Sequence, residues 1–237
     1  MNVANEHRLV LWDIDLTLVD LRGLGGQWYT QALSDVVGVT LREMPSFPGR
    51  TERAITTELL TRHRIEVTDE VLQQVWGKLV AISTEAYPTL AEHGHALPGA
   101  AAALSTMAAQ GTIVQSLVTG NLPEIARHKL SAFDLHEHIE FDIGGYGYLS
   151  ASRPELVAHA VASASTKHAR SFEPESVVIV GDTPHDIDAA LRHGATGIGV
   201  ATGRNSEREL WDAGAHAVFA DLGDTAAVLA AVTRQPT

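Results

Sequence analysis

Two aspartates, Asp13 and Asp15, stand two residues apart at the end of the apolar run "LVLWD". Carboxylates at that spacing repel each other unless a cation, a proton or a function compensates. Asp182 stands in the same relation to the apolar run "SVVIVGD", and Thr119-Gly120-Asn121 closes a third run, "TIVQSLVTG". Asp, Thr and Gly commonly punctuate strand ends as turn residues, and any one of these ends alone is accounted for that way. Three together, one carrying paired acids, call for chemistry. Asp13, Asp15 and Asp182 offer hard oxygen ligands that suit Mg2+, which accepts a few carboxylates together with waters and a phosphate. Thr119 supplies a hydroxyl, and the amides after it can cradle an anionic oxygen. One ionised carboxylate can attack phosphorus while its neighbour gives and takes a proton.

Such residues act together only if the chain brings the three strand ends to one place. The three runs are rich in β-branched residues and read as buried parallel strands. "TGIGV" around Ile198, "HAVFA" around Val218 and "HIEFDIGG" around Phe141 read as further short strands. Between them, "GAAAALSTMAAQG", "LPEIARHKLSAF", "RPELVAHAVASAS" and "PHDIDAALRHG" carry apolar residues at helical spacing. The alternation predicts an α/β fold with a doubly wound parallel sheet, whose ligands bind beyond the carboxyl ends of the strands. The pattern changes after the first strand. "GQWYTQALSDVVG", "TERAITTELLTRH" and "DEVLQQVWGKLVAISTEAY" follow one another as helices with no strand between. We expect a discontinuous core, residues 1–20 and 96–237, with a small all-helical insert over 21–95 and "HALPG" as the linker back.

Composition narrows the class. A chain of 237 residues with 45% hydrophobic residues suits one sizeable globular α/β unit. No apolar run reaches the roughly 18 residues a membrane span needs, and "MNVANEHR" lacks a basic-then-apolar leader pattern. The absence of cysteine removes disulfides, thiolate nucleophiles and cysteine zinc sites. Together these lead us to expect a cytoplasmic protein with no membrane partner. A formal net charge of −12 argues against nucleic acid. An acidic protein can still bind a small phosphorylated metabolite if a metal, an arginine or helix N-termini supply local positive charge. A monomer and a homodimer are both compatible with the sequence.

"DIDLT" (Asp13 to Thr17), "VTGN" (Val118 to Asn121) and "GDTPHDI" (Gly181 to Ile187) resemble, in order and placing, the motifs of the haloacid-dehalogenase-like hydrolases. The likeness spans the whole core. The helical insert falls where that family has its helical cap, and the nearest look is to phosphoglycolate-phosphatase-like phosphatases. The resemblance implies that Asp13 is a nucleophile forming an aspartyl-phosphate. It implies that Asp15 protonates the leaving alcohol and then activates water. Asp13, the backbone carbonyl of Asp15, and Asp182 would bind Mg2+, with Asp186 supporting that shell. Thr119 and the amides of Gly120 and Asn121 would hold the phosphoryl group. Two positions depart from the pattern. Leu16 stands where the family usually has glycine, and Arg153 in "SASRPELV" stands where a lysine is usual. Arginine keeps the charge but spreads it over a planar fork. Lys129 and Lys167 compete for that role but do not sit at the expected loop.

Other residues divide between chemistry and scaffold. Arg50, in "FPGRTERAI", lies on a turn of the insert. It is either a surface arginine or the grip on a distal carboxylate or second phosphate of the substrate. Thr51 is placed to cap the next helix. His93, His95, His136 and His138 read as solvated turn residues, and His185 as a neighbour of the site. "GGYG" from Gly144 reads as a loop at its mouth. The lead expectation is a Mg2+-dependent phosphatase acting on a small phosphomonoester. Haloacid dehalogenation needs neither metal nor Asp15. A phosphomutase would return the phosphoryl group to a sugar. A phosphonate hydrolase would want a lysine in the insert, where Lys78 is the sole candidate. A non-catalytic phosphoacceptor module would be shorter and lack the insert.

Overall fold

A computed structural model describes residues 7–21, 23–41, 43 and 45–234; residues 1–6, most of the segment read for a leader, lie outside them. Strand β1 (Arg8–Trp12) is buried along its whole length. It is followed by β2 (Val19–Asp20) and three helices, α1 (Leu24–Val37), α2 (Glu52–Arg62) and α3 (Asp69–Ala86). Then come β3 (His95–Ala96), α4 (Ala100–Ala108), β4 (Ile113–Thr119), α5 (Pro123–Ser131), β5 (Gly145–Tyr146) and α6 (Arg153–His168). The chain closes with β6 (Val177–Gly181), α7 (Pro184–His193), β7 (Thr196–Val200), α8 (Glu207–Asp212), β8 (Ala217–Phe219) and α9 (Thr225–Thr233). Among the described residues no helix is long and apolar enough to cross a membrane.

Six strands form one parallel sheet in the order β5-β4-β1-β6-β7-β8. Period-two alternation sends successive β1 side chains to opposite faces. Val10 and Trp12 join the core beneath α4, α5 and α9, while Leu9 and Leu11 join the core beneath α6 and α7. Leu9, Val10 and Leu11 are fully buried, each burial contributing roughly 1.5–3 kcal/mol. Helices on both faces of a parallel sheet make this the doubly wound α/β fold that the sequence predicts. Strand order reverses at β1, which is where such folds bind ligands. Register fixes the height of the site: Trp12 pairs with Leu117 on one side and Val180 on the other. The first catalytic candidates on β1, β4 and β6 therefore emerge side by side.

Three sequence expectations shift. "HIEFDIGG" is not a strand at Phe141. Phe141–Ile143 is a 3-10 turn, and β5 begins only at Gly145, where a Cβ would lie 2.2 Å from the Leu156 carbonyl oxygen. "GGYG" accordingly contains a short edge strand. "HALPG" is more than a linker: β3 pairs antiparallel with β2, Val19 with Ala96 and Asp20 with His95, so entry to and exit from the helical segment are tied together. Within that segment Thr51 caps α2, its hydroxyl accepting the Ala54 N–H, and Thr68 caps α3 in the same way.

Candidate active site

Asp13 follows β1 and is 7% exposed. Its amide donates to the Val180 carbonyl at 2.9 Å, so the sheet continues one residue past the strand on that side. Arg153, the first residue of α6, lies beneath it. Arg153 Nη2 donates to Asp13 Oδ1 at 2.8 Å and to the Val118 carbonyl at 3.0 Å, and lies 2.6 Å from Asp186 Oδ1. The other oxygen of Asp186 accepts from the Thr183 amide and hydroxyl, completing the N-terminal cap of α7. Asp186 is fully buried and thus held from two sides. Arg153 occupies the lysine position and meets both acids through one nitrogen, Nη2, while its Nε has no partner among the described residues. Burial would lower its pKa, but Asp186 and Asp13 hold it above the ordinary arginine value.

One carboxylate oxygen from each of Asp13, Asp182 and Asp186 lies within 4.8 Å of the others. All three residues are buried, and Asp182 Oδ2 has no hydrogen-bond partner among the described residues. Burial pushes the Asp13 pKa up to about 7, with the charges of Asp186 and Asp15 adding to the rise and Arg153 opposing it. Burial likewise pushes Asp182 to about 9, with Asp13 and Asp186 adding to the rise. A hard divalent cation would relieve this crowding, and an all-oxygen, buried donor set fits Mg2+. Asp186, read from the sequence as a support of the metal shell, stands against Asp13 and Asp182. The Asp15 carboxylate is turned elsewhere, which leaves its backbone carbonyl as the atom Asp15 could offer a metal.

That carboxylate is claimed by Lys129. Lys129 Nζ lies 2.6 and 2.7 Å from the two Asp15 oxygens and donates to Asn121 Oδ1 at 2.7 Å. Because the ammonium only donates, Asn121 must present Oδ1 to it and Nδ2 elsewhere. Nδ2 donates to Asp15 Oδ2 at 2.7 Å and to Thr119 Oγ1 at 2.8 Å. The Asn121 amide also donates to Thr119 Oγ1, at 3.3 Å. With Thr119 Oγ1 accepting twice, its own proton is left to donate outward. Asn121 therefore orients Asp15 and Thr119 with its side chain, a role the sequence reading did not assign. Lys129 is 7% exposed. Sequence reasoning set it aside for lying outside the expected loop, yet the signal was present. Ile125, Ala126, Lys129 and Leu130 form the buried stripe of α5, and a lysine on an apolar helix face needs a partner inside.

Asp13, Asp15, Thr119, Asn121, Lys129, Arg153 and Asp182 all open onto one cavity of about 560 Å3. Its far wall comes from the helical segment and includes Tyr29, Phe47, Arg50, Glu52 and Ile55. The wall is stitched to the core by main-chain bonds: the Glu52 amide donates to the Gly120 carbonyl at 3.0 Å, and the Arg53 amide to the Gly147 carbonyl at 2.9 Å. The approach is so close that a Cβ on Gly120 would lie 2.0 Å from the Arg50 carbonyl oxygen. Arg50 lines the cavity, but its guanidinium is engaged within the insert. Nη2 pairs with Glu58 at 2.6 Å and reaches the Ala54 carbonyl at 3.4 Å, and Nη1 donates to the Ser46 carbonyl at 3.2 Å. Leu16, at the glycine position of the first motif, holds a left-handed φ of 63°, and its carbonyl accepts from the Thr202 hydroxyl at 2.6 Å.

The remaining candidates lie apart. Lys167 pairs with Glu140 and Asp142, and Lys78 with Asp35. His185 is exposed beside the Gly49 turn, and His93, His95 and His138 are exposed. Among the described residues no histidine joins a group of three potential metal ligands.

The chain belongs to the haloacid dehalogenase-like hydrolase family, whose model matches residues 10–200. Among solved structures it is similar to a hydrolase from Pseudomonas syringae at 24% identity and a TM-score of 0.67, over 97% of this chain and 100% of that one. It is similar to a predicted β-phosphoglucomutase from Bacteroides vulgatus at 19% identity and a TM-score of 0.66, over 98% and 93%. A predicted phosphoglycolate phosphatase from Haemophilus somnus aligns at 19% identity with a TM-score of 0.64, over 96% and 100%. Comparison with curated proteins gave no match. At these identities the likenesses establish the fold.

Proposed function

We propose that this hydrolase is a Mg2+-dependent phosphatase of small phosphomonoesters, working through an aspartyl-phosphate on Asp13. The observation that carries the reading is the convergence, in one cavity, of the buried carboxylates Asp13 and Asp182, with Asp186 packed behind them, the Asp15 carboxylate and a hydroxyl with its donor face free. Asp13, Asp182 and the carbonyl of Asp15 would hold the cation, with Asp186 beside them. Bound there, Mg2+ would supply charge neutralisation for the phosphoryl oxygens. The chain's own residues do the rest. Thr119 donates to a phosphoryl oxygen, and the Gly120 amide lies beside it. Asp13 Oδ bonds to phosphorus as the bond from phosphorus to the leaving oxygen breaks, and a proton passes from Asp15 to that oxygen. Water then attacks phosphorus and gives its proton to Asp15, the bond to Asp13 breaks, and inorganic phosphate leaves. Positioning and charge account for most of such a reaction. Residues 21–95 act as the lid that excludes water and selects the leaving group.

The test is release of inorganic phosphate from p-nitrophenyl phosphate and from a panel of phosphorylated metabolites, with Mg2+ and after exhaustive chelation. Turnover that requires Mg2+ supports the reading. Full activity without metal on a haloacid would support dehalogenation instead. Transfer of the phosphoryl group to a sugar without phosphate release would support a phosphomutase.

A further inference from the structure

Building on the phosphatase reading, we infer that Glu52 and Tyr29 form the leaving-group wall and select a leaving alcohol carrying a hydrogen-bond donor, hydroxyl or ammonium, against one carrying a carboxylate. Glu52 is the first residue of α2, and its own amide is bonded to Gly120, so its place relative to the phosphoryl site is set by the main chain. Tyr29, 2% exposed, donates its hydroxyl to Glu52 Oε2. Behind it, Thr56 Oγ1 lies 2.9 Å from the Tyr29 oxygen and accepts the Trp76 indole N–H at 3.0 Å. Every donor in this chain points toward Glu52, and none is a cation. Among the described residues Oε1 of Glu52 has no hydrogen-bond partner, so the wall presents an acceptor.

Among the described residues no cation around the cavity is paired with this acceptor. Arg153 is paired with Asp13 and Asp186, Lys129 with Asp15, and Arg50 with Glu58. Arg204 also lines the cavity but is exposed, on the loop after β7 rather than on the helical wall. Burial pushes the Glu52 pKa up to about 7, the attraction of Lys129 opposing and the charge of Asp15 adding to that rise. A half-buried acid on the wall of a cavity favours ligands that bring a donor or a positive charge and disfavours a second carboxylate, which would add like charge beside it. Such selectivity comes as much from repulsion of the wrong ligand as from attraction of the right one.

Three phosphomonoesters with two-carbon leaving groups isolate the effect: 2-aminoethyl phosphate, 2-hydroxyethyl phosphate and phosphoglycolate, which end in ammonium, hydroxyl and carboxylate. With wild-type protein and Mg2+ at pH 7.5, kcat/KM for each donor-bearing ester should exceed that for phosphoglycolate by at least about tenfold. Glu52→Gln should bring the ratio of aminoethyl ester to phosphoglycolate close to one. The wild-type ratios stand by themselves if that variant does not fold. Turnover of p-nitrophenyl phosphate with a ratio of one or below overturns the inference and leaves the phosphatase reading intact. So does a folded Glu52→Gln variant that keeps the wild-type ratio, or failure to hydrolyse any of the three esters. Absence of turnover on every phosphomonoester, the aryl phosphate included, overturns the phosphatase reading and this inference with it.

Discussion

Asp13 and Asp15 each meet a buried cation, Arg153 under one and Lys129 against the other. Across the cavity, Glu52 meets only the neutral hydroxyl of Tyr29. The strand ends answer the Asp13 and Asp15 charges with cations inside the protein, and of the strand-end acids only Asp182 keeps a buried oxygen without a hydrogen-bond partner among the described residues. The insert leaves its carboxylate to be answered from outside. Burying a charge is expensive unless it is paired, so the contrast divides the labour: matched charge fixes geometry for chemistry, and unmatched charge discriminates among ligands.

The sharpest way to break this division is at its two ends. Asp13→Asn should lower kcat by at least about 10^4-fold while far-UV circular dichroism stays native, since an amide cannot serve as the nucleophile. Next in size is Lys129→Met. Losing charged hydrogen bonds to Asp15 and Asn121 should cost about 1.5–3 kcal/mol of transition-state stabilisation, roughly 10–150-fold in kcat. Lys129→Arg should recover part of it. If Lys129 merely supported the fold, thermal stability would fall and the residual activity per folded molecule would not.

The unmatched acid has a signature in stability. Between the unfolded carboxyl pKa near pH 4 and the folded value of about 7, folded Glu52 holds a proton that the unfolded chain has lost. Stability from this group is therefore full below that window and falls as pH rises through it. In excess Mg2+, the drop in Tm between pH 5 and pH 8 should be smaller in Glu52→Gln than in wild type, at roughly 2–4 °C per kcal/mol for a chain of this size. An unchanged drop would mean that Glu52 is solvated.

Smaller effects sharpen the boundary. Leu16→Gly trades left-handed strain of about 1–2 kcal/mol against a backbone entropy cost of about 0.5–1 kcal/mol. Urea unfolding should show a gain of no more than about 1.5 kcal/mol with activity retained. Arg50→Ala should remove a part-exposed pair worth about 0.2–1 kcal/mol and leave the preference between anionic and neutral substrates unchanged. A selective loss on anionic substrates would show that the guanidinium swings from Glu58 into the cavity.

Much of the core was legible because its signals are local. An apolar run ending in Asp, Thr or Gly marks both the strand and the ligand side of the sheet, so Asp13, Thr119 and Asp182 could be named from types and spacing alone. Arg153 came only from the resemblance, as the residue at the family's usual lysine position; its place before Pro154 reads equally as a plain helix start. What resisted reading depends on side-chain direction. Whether Asp15 turns to a metal or to Lys129, and whether Arg50 faces the substrate or Glu58, is decided by partners eight or more residues away on another element. Lys129 was hidden by a rule about loops although its helical stripe exposed it. Glu52 and Tyr29 carry no motif; only the meeting of α1, α2 and the Gly120 turn gives them a role.

The bonds from the Glu52 and Arg53 amides to Gly120 and Gly147 turn the cavity into a ruler. In the proposed reaction one end would be the turn that takes the phosphoryl group and the other the wall that meets the far end of the leaving group, and the main chain sets the distance between marks. Sliding the wall outward by even one methylene would break both bonds or detach Gly120 from its place beside Thr119. A descendant of this protein that accepts a longer substrate would therefore keep the stitch and change the side chains at positions 29, 52 and 55. Chain length and leaving-group chemistry would then evolve at the same few positions, independently of the residues that break the phosphate ester.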